Sequence, residues 1–245
     1  MARYKLLIEY HGGPYQGWMR LPGKPTVQGA LEEAATALDG GPVEIYGAGR
    51  TDSGVHAMGQ VAHLDLAIDR PGKVADALNA HLRPHPIAVL KAEKVDEDFH
   101  ARFSAKARHY RFVIINRRAD LTVEKGLAWR ISQKLDAKRM HDAAQVLLGT
   151  HDFTTFRDME CQARSPVKTL DRFDIARYGD RVECTLSAQS FLHRQVRSMV
   201  GSLVEVGRGK RDARWLTEIM EARDRTACGP VSPPDGLFLE KVDYD

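Results

Sequence analysis

Four side chains with reactive ends stand together at Arg50, Thr51, Asp52 and Ser53, within the stretch Gly47-Ala-Gly-Arg-Thr-Asp-Ser-Gly-Val-His-Ala-Met-Gly-Gln60. Asp52 is the one acid among them. A carboxylate that stays ionised can act as a covalent nucleophile, and a guanidinium within reach keeps it ionised, because an opposite charge favours the charged form. Glycines at 47, 49, 54 and 59 surround the cluster and let another molecule approach the backbone closely. The competing explanation is structural, since an Asp after Thr and before Ser-Gly is a common turn or cap residue. Spacing alone favours the turn. The Arg two residues upstream and the glycines on either side shift the balance toward chemistry.

Two more distant segments carry groups suited to work with that acid. In Phe191-Leu-His-Arg-Gln-Val-Arg-Ser-Met-Val-Gly201, a helical period of 3.6 puts Leu192, Val196, Met199, Val200, Leu203 and Val204 on one stripe. Arg197 falls at its edge and Arg194 points away. An edge Arg can bury its stem and offer its fork to a half-buried carboxylate, or simply reach to water. Gly201 leaves room beside the helix for another backbone. In Phe103-Ser-Ala-Lys-Ala-Arg-His-Tyr-Arg-Phe112, the two-residue period of a strand puts Arg108 and Tyr110 on one face and His109 and Arg111 on the other. An aromatic beside cations suits base stacking with phosphate contact; cross-strand packing is about as common a use. His56 and His63 lie seven residues apart across a strand, a poor metal geometry, and read as structural or RNA-facing. Gly47-Ala-Gly49 lacks the third glycine of a dinucleotide loop, and neither a Walker sequence nor a Gly-x-Ser-x-Gly elbow occurs.

These groups need elements to hold them. Residues 3 to 10 read as a strand, followed by the turn-rich His11-Gly-Gly-Pro-Tyr-Gln-Gly17. Thr26 can cap a helix with apolar positions Val27, Leu31, Ala34, Ala35 and Leu38, stopped by Asp39-Gly-Gly-Pro42. A short strand is expected at 43–46, the Asp52 loop next, and a strand at 60–66. A second helix is expected from Pro71, with Val74, Ala77, Leu78, His81 and Leu82 on one side, then a strand at 87–95. That order, β-α-β-β-α-β, is the ferredoxin-like split, with helices on one sheet face and the other face open, where RNA often lies. Residues 96–104 hold few apolar anchors and make a junction. The second half repeats the rhythm: a strand at 107–115, a helix through Met140 to Leu148, strands at 167–177 and 181–188, helices at 192–206 and 213–222, and a last strand at 237–242. The expected division is 1–104 and 105–245, with long loops at 149–166 and 223–236.

Composition bounds the class. The chain has 245 residues, 43% hydrophobic and 28% charged, typical of an ordinary soluble globular protein, and the element order above makes its class α+β. No apolar stretch is long enough to span a bilayer and no secretory leader opens the chain, so a cytoplasmic location is expected. Cys161, Cys184 and Cys228 are widely spaced and read as reduced thiols; no metal site is expected. Net charge is only +3, but arginines cluster at 102, 108 and 111, at 194 and 197, and at 208 and 211. Local basic patches on a near-neutral protein suit a polyanion held on one face, or a surface of evenly mixed charge.

The run Gly49-Arg-Thr-Asp-Ser-Gly-Val-His-Ala57 resembles the signature of the TruA-type tRNA pseudouridine synthases. So do Tyr10-His-Gly-Gly-Pro-Tyr-Gln-Gly-Trp18, Thr26-Val-Gln28, Phe99-His-Ala-Arg-Phe-Ser-Ala105 with Arg108 and Tyr110, Gly149-Thr-His-Asp-Phe-Thr-Thr-Phe156, the 191–201 segment and Pro234-Asp-Gly-Leu-Phe-Leu239. The resemblance covers essentially the whole chain. It implies a pseudouridine-synthase fold, two ferredoxin-like halves with largely antiparallel sheets joined around a central cleft. It implies isomerisation of uridine to pseudouridine in the tRNA anticodon stem-loop, at positions 38, 39 and/or 40, by a homodimer without cofactor. In that family pattern Asp52 is the nucleophile, Tyr110 stacks on the target uracil, Arg197 pairs with Asp52, and Arg50 holds or displaces the flipped nucleotide; Thr51, His56 and Arg108 join Tyr110 and Arg50 in substrate binding. Tyr15, Leu21, Phe112 and Lys168 depart from the pattern and bear on substrate range. Lys168 in particular offers a point charge where a bidentate Arg is usual. Two other classes compete: a non-catalytic tRNA-binding or folding protein on the same scaffold, and a nucleoside glycosidase, for which the loop lacks a second acid.

Overall fold

A computed structural model describes residues 1–70 and 72–245, so the expected helix start at Pro71 lies outside the described residues. The chain divides into two compact units, Met1–Lys106 with Phe238–Asp245, and Ala107–Leu237. The C-terminal strand is thus grouped with the first unit, where it pairs with that unit's sheet.

In the first unit β1 (Ala2–Tyr10) runs antiparallel to β3 (His56–Leu66), with Lys5 opposite His63, and to β4 (Ile87–Lys94), with Lys5 opposite Glu93. The far edge of β3 takes two short partners, β2 (Tyr46–Gly47) at Ala62 and His63, and β10 (Leu237–Asp243) in parallel at His56 and Ala57. Helices α1 (Val27–Asp39) and α2 (Val74–Leu82) complete the β-α-β-β-α-β order. The Thr26 hydroxyl accepts the Gly29 N–H as the cap of α1, and Gly40 ends it in the left-handed region. In α2, Val74, Leu78 and Leu82 are buried, whereas His81 is exposed.

Three expectations about this unit change. Residues 43–45 form no strand, because α1 takes their backbone groups: Val43 N–H donates to Thr36 Oγ1, Ile45 N–H to the buried Glu32 carboxylate, and Gln28 Nε2 donates to the Ile45 carbonyl. The strand expected at 60–66 begins at His56, since β10 and Tyr10 pair with its first residues. Finally, the helix-free face is partly covered. The 99–103 turn lies on it, with Ala101 N–H bonded to His63 Nδ1 at 3.2 Å and Arg3 Nη1 to the Phe99 carbonyl at 3.1 Å. The Tyr244 hydroxyl donates to the Ala101 carbonyl at 2.7 Å. Residues 96–104 are therefore anchored to the sheet.

The second unit is an antiparallel sheet in the order β5 (Ala107–Ile115), β9 (Arg181–Ala188), β8 (Val167–Tyr178), β7 (Gly149–Asp152), with β6 (Trp129–Arg130) alongside β5. Its helices are α3 (Ala137–Ala144), α4 (Gln195–Gly207) and α5 (Ala213–Ala222). Fully buried Phe112, Phe153, Phe156, Phe173 and Leu203 lie at its core. The expected helix through Leu148 ends at Ala144 and tightens into a 3-10 turn at 145–147, where Gln145 Nε2 donates to the Phe173 carbonyl. Residues 149–152 pair with β8 and are not loop. The expected helix from 192 starts at Gln195, because Arg194 has a left-handed backbone (φ 58°) and Gln195 Oε1 accepts the Leu192 N–H.

Candidate active site

The Asp52 loop is closed at its neck by the sheet and clasped from the side by residues 11–18. At the neck, Ala48 N–H donates to the Val61 carbonyl at 2.7 Å, and Gln60 Nε2 to the Gly49 carbonyl at 2.8 Å. At the side, Trp18 N–H donates to the Thr51 carbonyl at 3.0 Å. The Tyr15 carbonyl accepts both the Gly54 N–H and the Ser53 hydroxyl. Gly12 N–H donates to His56 Nδ1 at 3.0 Å. The two segments touch at Gly17, whose φ is 95° and where a Cβ would stand 2.7 Å from the Thr51 carbonyl oxygen. The clasp is itself fixed to the start of α1, through Val27 N–H to the Gly17 carbonyl and Gln28 N–H to the Trp18 carbonyl.

Inside this frame each expected residue has a definite place. Thr51 is buried, and its hydroxyl lies 2.8 Å from that of Tyr10. Burial pushes the Tyr10 phenol well above its ordinary pKa, so it remains protonated. His56 is only 2% exposed; its ring lies edge-on to His11 at 4.7 Å and stacks on Phe238 at 4.8 Å. With Nδ1 accepting from Gly12, His56 is a holder of the clasp. Arg50 is exposed and Asp52 is half-buried, its carbonyl accepting the Val55 N–H in a turn completed by Gly54. The structure thus brings Arg50, Thr51, Asp52 and His56 onto one braced loop, with Asp52 partly open to solvent.

In the second unit Tyr110 and Arg108 share a face of β5, opposite Leu186 and Ala188. Both are nearly buried; Phe191 stands perpendicular to the Tyr110 ring at 5.2 Å, and Arg108 Nη1 donates to the Gln189 carbonyl at 2.6 Å. Arg197 lies at the edge of the apolar stripe of α4, half-buried, as the helical period predicts. Its Nε donates to the Ser232 carbonyl at 2.8 Å, and Ser232 N–H returns a bond to the Arg197 carbonyl at 3.1 Å. The 228–232 segment reaches Arg197 because Gly201 offers no Cβ: one placed there would overlap the Pro230 carbonyl oxygen. Arg194 instead forms an ion pair with Asp158 at 3.0 Å, beside a cavity of about 600 Å³ lined also by Glu160, Arg225, Cys228 and Pro230.

Tyr10, Gly17 and Ser232 carry no local signal of their part in the site. Gly201 marks a close approach in the sequence; what approaches it is set by tertiary structure. Among the described residues no group of three or more His, Cys, Asp and Glu side chains is placed to hold a metal ion, and no helix is long and apolar enough to cross a membrane.

A family model described as tRNA pseudouridine synthase matches residues 7–104 and 143–245. A protein of Hyphomonas neptunium named tRNA pseudouridine synthase A is 74% identical over 244 residues, covering 100% of this chain and 99% of its own. One of the same name from Maricaulis maris is 61% identical over 245 residues, covering 100% and 98%. Among solved structures, a chain described as belonging to a Cbf5-Nop10-Gar1 complex overlays at a TM-score of 0.32 with 9% identity, covering 82% of this chain and 54% of that one.

Proposed function

The chain belongs to the tRNA pseudouridine synthase family, an isomerase family, and from that premise we propose that it converts uridine to pseudouridine in the tRNA anticodon stem-loop, at positions 38, 39 and/or 40, with Asp52 as nucleophile. The observation that carries the residue assignment is the half-buried Asp52 on a loop braced by both the sheet and the 11–18 segment. A nucleophile gains most when its approach is fixed beforehand.

The reaction breaks the N1–C1′ bond, turns the uracil over, and joins C5 to C1′; C5 gives up its proton and N1 gains one. Asp52 adds to the uracil ring or to C1′ and leaves again when the new bond is made, so no atom is lost or gained. The target base has to leave its stack, at a cost of a few kcal/mol. Stacking on Tyr110 offsets about 1–3 kcal/mol of it. In this proposal Arg197 pairs with the Asp52 carboxylate, and Arg50 holds the extruded nucleotide. Arg108 contributes to the backbone contacts, while Thr51 and His56 act by fixing the loop. We further propose a cytoplasmic homodimer that works without cofactor.

Incubation with unmodified tRNA, followed by site mapping of pseudouridine, tests the proposal. Wild type should modify anticodon-arm uridines, and Asp52→Asn should lose turnover by several orders of magnitude while its thermal midpoint and tRNA affinity stay close to wild type. Equal product from wild type and variant would remove Asp52 from the chemistry, and a collapsed midpoint would mark it as a structural cap.

A further inference from the structure

A row of rings crosses the helix-free face of the first unit and ends in solvent. His63, buried in β3, stacks on Tyr46 of β2 at 5.1 Å and meets His100 edge-on at 4.6 Å. His100 in turn packs on Phe103 at 4.4 Å, and the Arg102 guanidinium lies 5.6 Å from the Phe103 centroid. Phe103 is 75% exposed and Tyr46 47%. The exposure of Phe103 is not that of a loose loop. His100 Nδ1 accepts the N–H groups of Arg102 and Phe103, His100 N–H donates to Ser104 Oγ, and Ser104 N–H returns to the His100 carbonyl. Burial and the nearby Arg3 lower the His100 pKa, which keeps Nδ1 an acceptor at neutral pH. The turn is thus built to hold a phenyl ring rigidly in water, with a cation and an imidazole against it.

We propose that this turn is a stacking ledge for one unpaired base of bound tRNA, with Phe103 as the platform and His100 and Arg102 as its backing. The inference rests on the tRNA reading above and adds a contact away from the Asp52 loop. A rigid aromatic with an adjacent guanidinium is the combination that stacks bases without regard to sequence. Tyr46 is the less suited end of the row, because its hydroxyl is bonded to the Glu44 carboxylate, which repels phosphate. The exposed parts of the two rings amount to roughly 250 Å², taking about 150–250 Å² for a whole aromatic side chain. A stable protein interface buries about 800 Å² on each side. The area fits a base and falls far short of a second copy of the chain. β2 leads within four residues to Arg50, so the ledge and the Asp52 loop are carried by one segment of the same unit.

The test uses the full chain and a fluorescent unmodified tRNA, with Kd read by anisotropy. Phe103→Ala should weaken binding about ten-fold, as loss of one base–aromatic stack does, and Phe103→Trp should restore it. The slope of log Kd against log salt should not change in Phe103→Ala, since no phosphate contact is removed. A Kd within two-fold of wild type overturns the ledge. So does weaker binding that Trp does not restore and that accompanies a smaller sedimenting species, which would assign the ring to contact between copies. Wild type that binds tRNA without forming pseudouridine sinks the enzymatic reading and leaves the ledge measurable. Isomerisation with no Phe103 effect on Kd sinks the ledge alone, and wild type that does not bind tRNA sinks both.

Discussion

At the scale of single residues, the Asp52 loop depends on a pair of buried hydroxyls as much as on its own carboxylate. Tyr10 and Thr51 meet at 2.8 Å, both shielded from water. A neutral hydrogen bond of this kind contributes about 0.5–1.5 kcal/mol net, while a partner left buried and unbonded costs about 1–3 kcal/mol. Tyr10→Phe should therefore lower the thermal midpoint by a few degrees and reduce kcat by loosening the residue next to Asp52, with a smaller change in KM. Thr51→Val should do the same. The double variant should be less impaired than the two single effects summed, because no orphaned hydroxyl remains. Strict additivity in the thermal midpoint would mean that the two hydroxyls do not act as a pair. The acid itself was legible because its chemistry is local: four reactive groups in a row within a glycine frame. Tyr10 was not, because a partner 41 residues away leaves no trace in spacing. His56 was visible as a histidine, but whether it faces RNA or a backbone N–H is decided by the 11–18 segment folding over it.

At the scale of elements, periodicity located the long strands and the helices, and two of the misses have a related cause. Residues 43–45 have the composition of a strand, yet Glu32, Thr36 and Gln28 of α1 compete for their backbone groups. Leu192 fits the apolar stripe of α4, yet the helix begins three residues later at Gln195, because the left-handed Arg194 interrupts it. In both cases a side chain's hydrogen bonds or one residue's backbone overrode a correct apolar pattern. The stripe did place Arg197 correctly, and Gly201 was rightly read as a site of close approach. Gly201→Ala tests that element. Alanine is favoured over glycine within a helix by about 1 kcal/mol, so a loss must come from the Pro230 carbonyl being forced away. Overpacking of this kind costs about 1–3 kcal/mol. The displaced segment takes the Ser232 carbonyl from Arg197 Nε. The expected result is unchanged helical content, a lower midpoint, and a fall in kcat larger than the rise in KM for tRNA. A higher midpoint with wild-type kcat would show that the 228–232 segment does not position Arg197.

For the molecule as a whole, net charge of +3 and a pI near 8.7 leave stability against acid to particular buried groups. His63 is the foremost. Burial, the neighbouring His100 and the Arg3 guanidinium drop its pKa to about 4, with Asp65 opposing them. A histidine whose folded pKa lies below its unfolded value near 6.5 stabilises the fold fully above pH 6.5, and that contribution is lost as pH falls from 6.5 toward 4. Carboxylates act lower. The Arg3 side chain holds Asp65 below the usual range, so that contribution is present at neutral pH and disappears only below about pH 4. Acid unfolding should therefore begin well above the carboxylate range, between pH 6 and 4. His63→Gln, which can still accept the Ala101 N–H but cannot take up a proton, should flatten that limb and leave the lower one in place. Urea midpoints measured across pH 7 to 3 decide it: parallel curves for wild type and His63→Gln would show that the ring titrates without strain. Because His63 also carries the 99–103 turn through Ala101, its protonation should weaken the hold on Phe103 first. The Phe103 share of tRNA affinity should accordingly persist at pH 5.5 and shrink only as pH approaches 4, measured as convergence of the wild-type and Phe103→Ala dissociation constants.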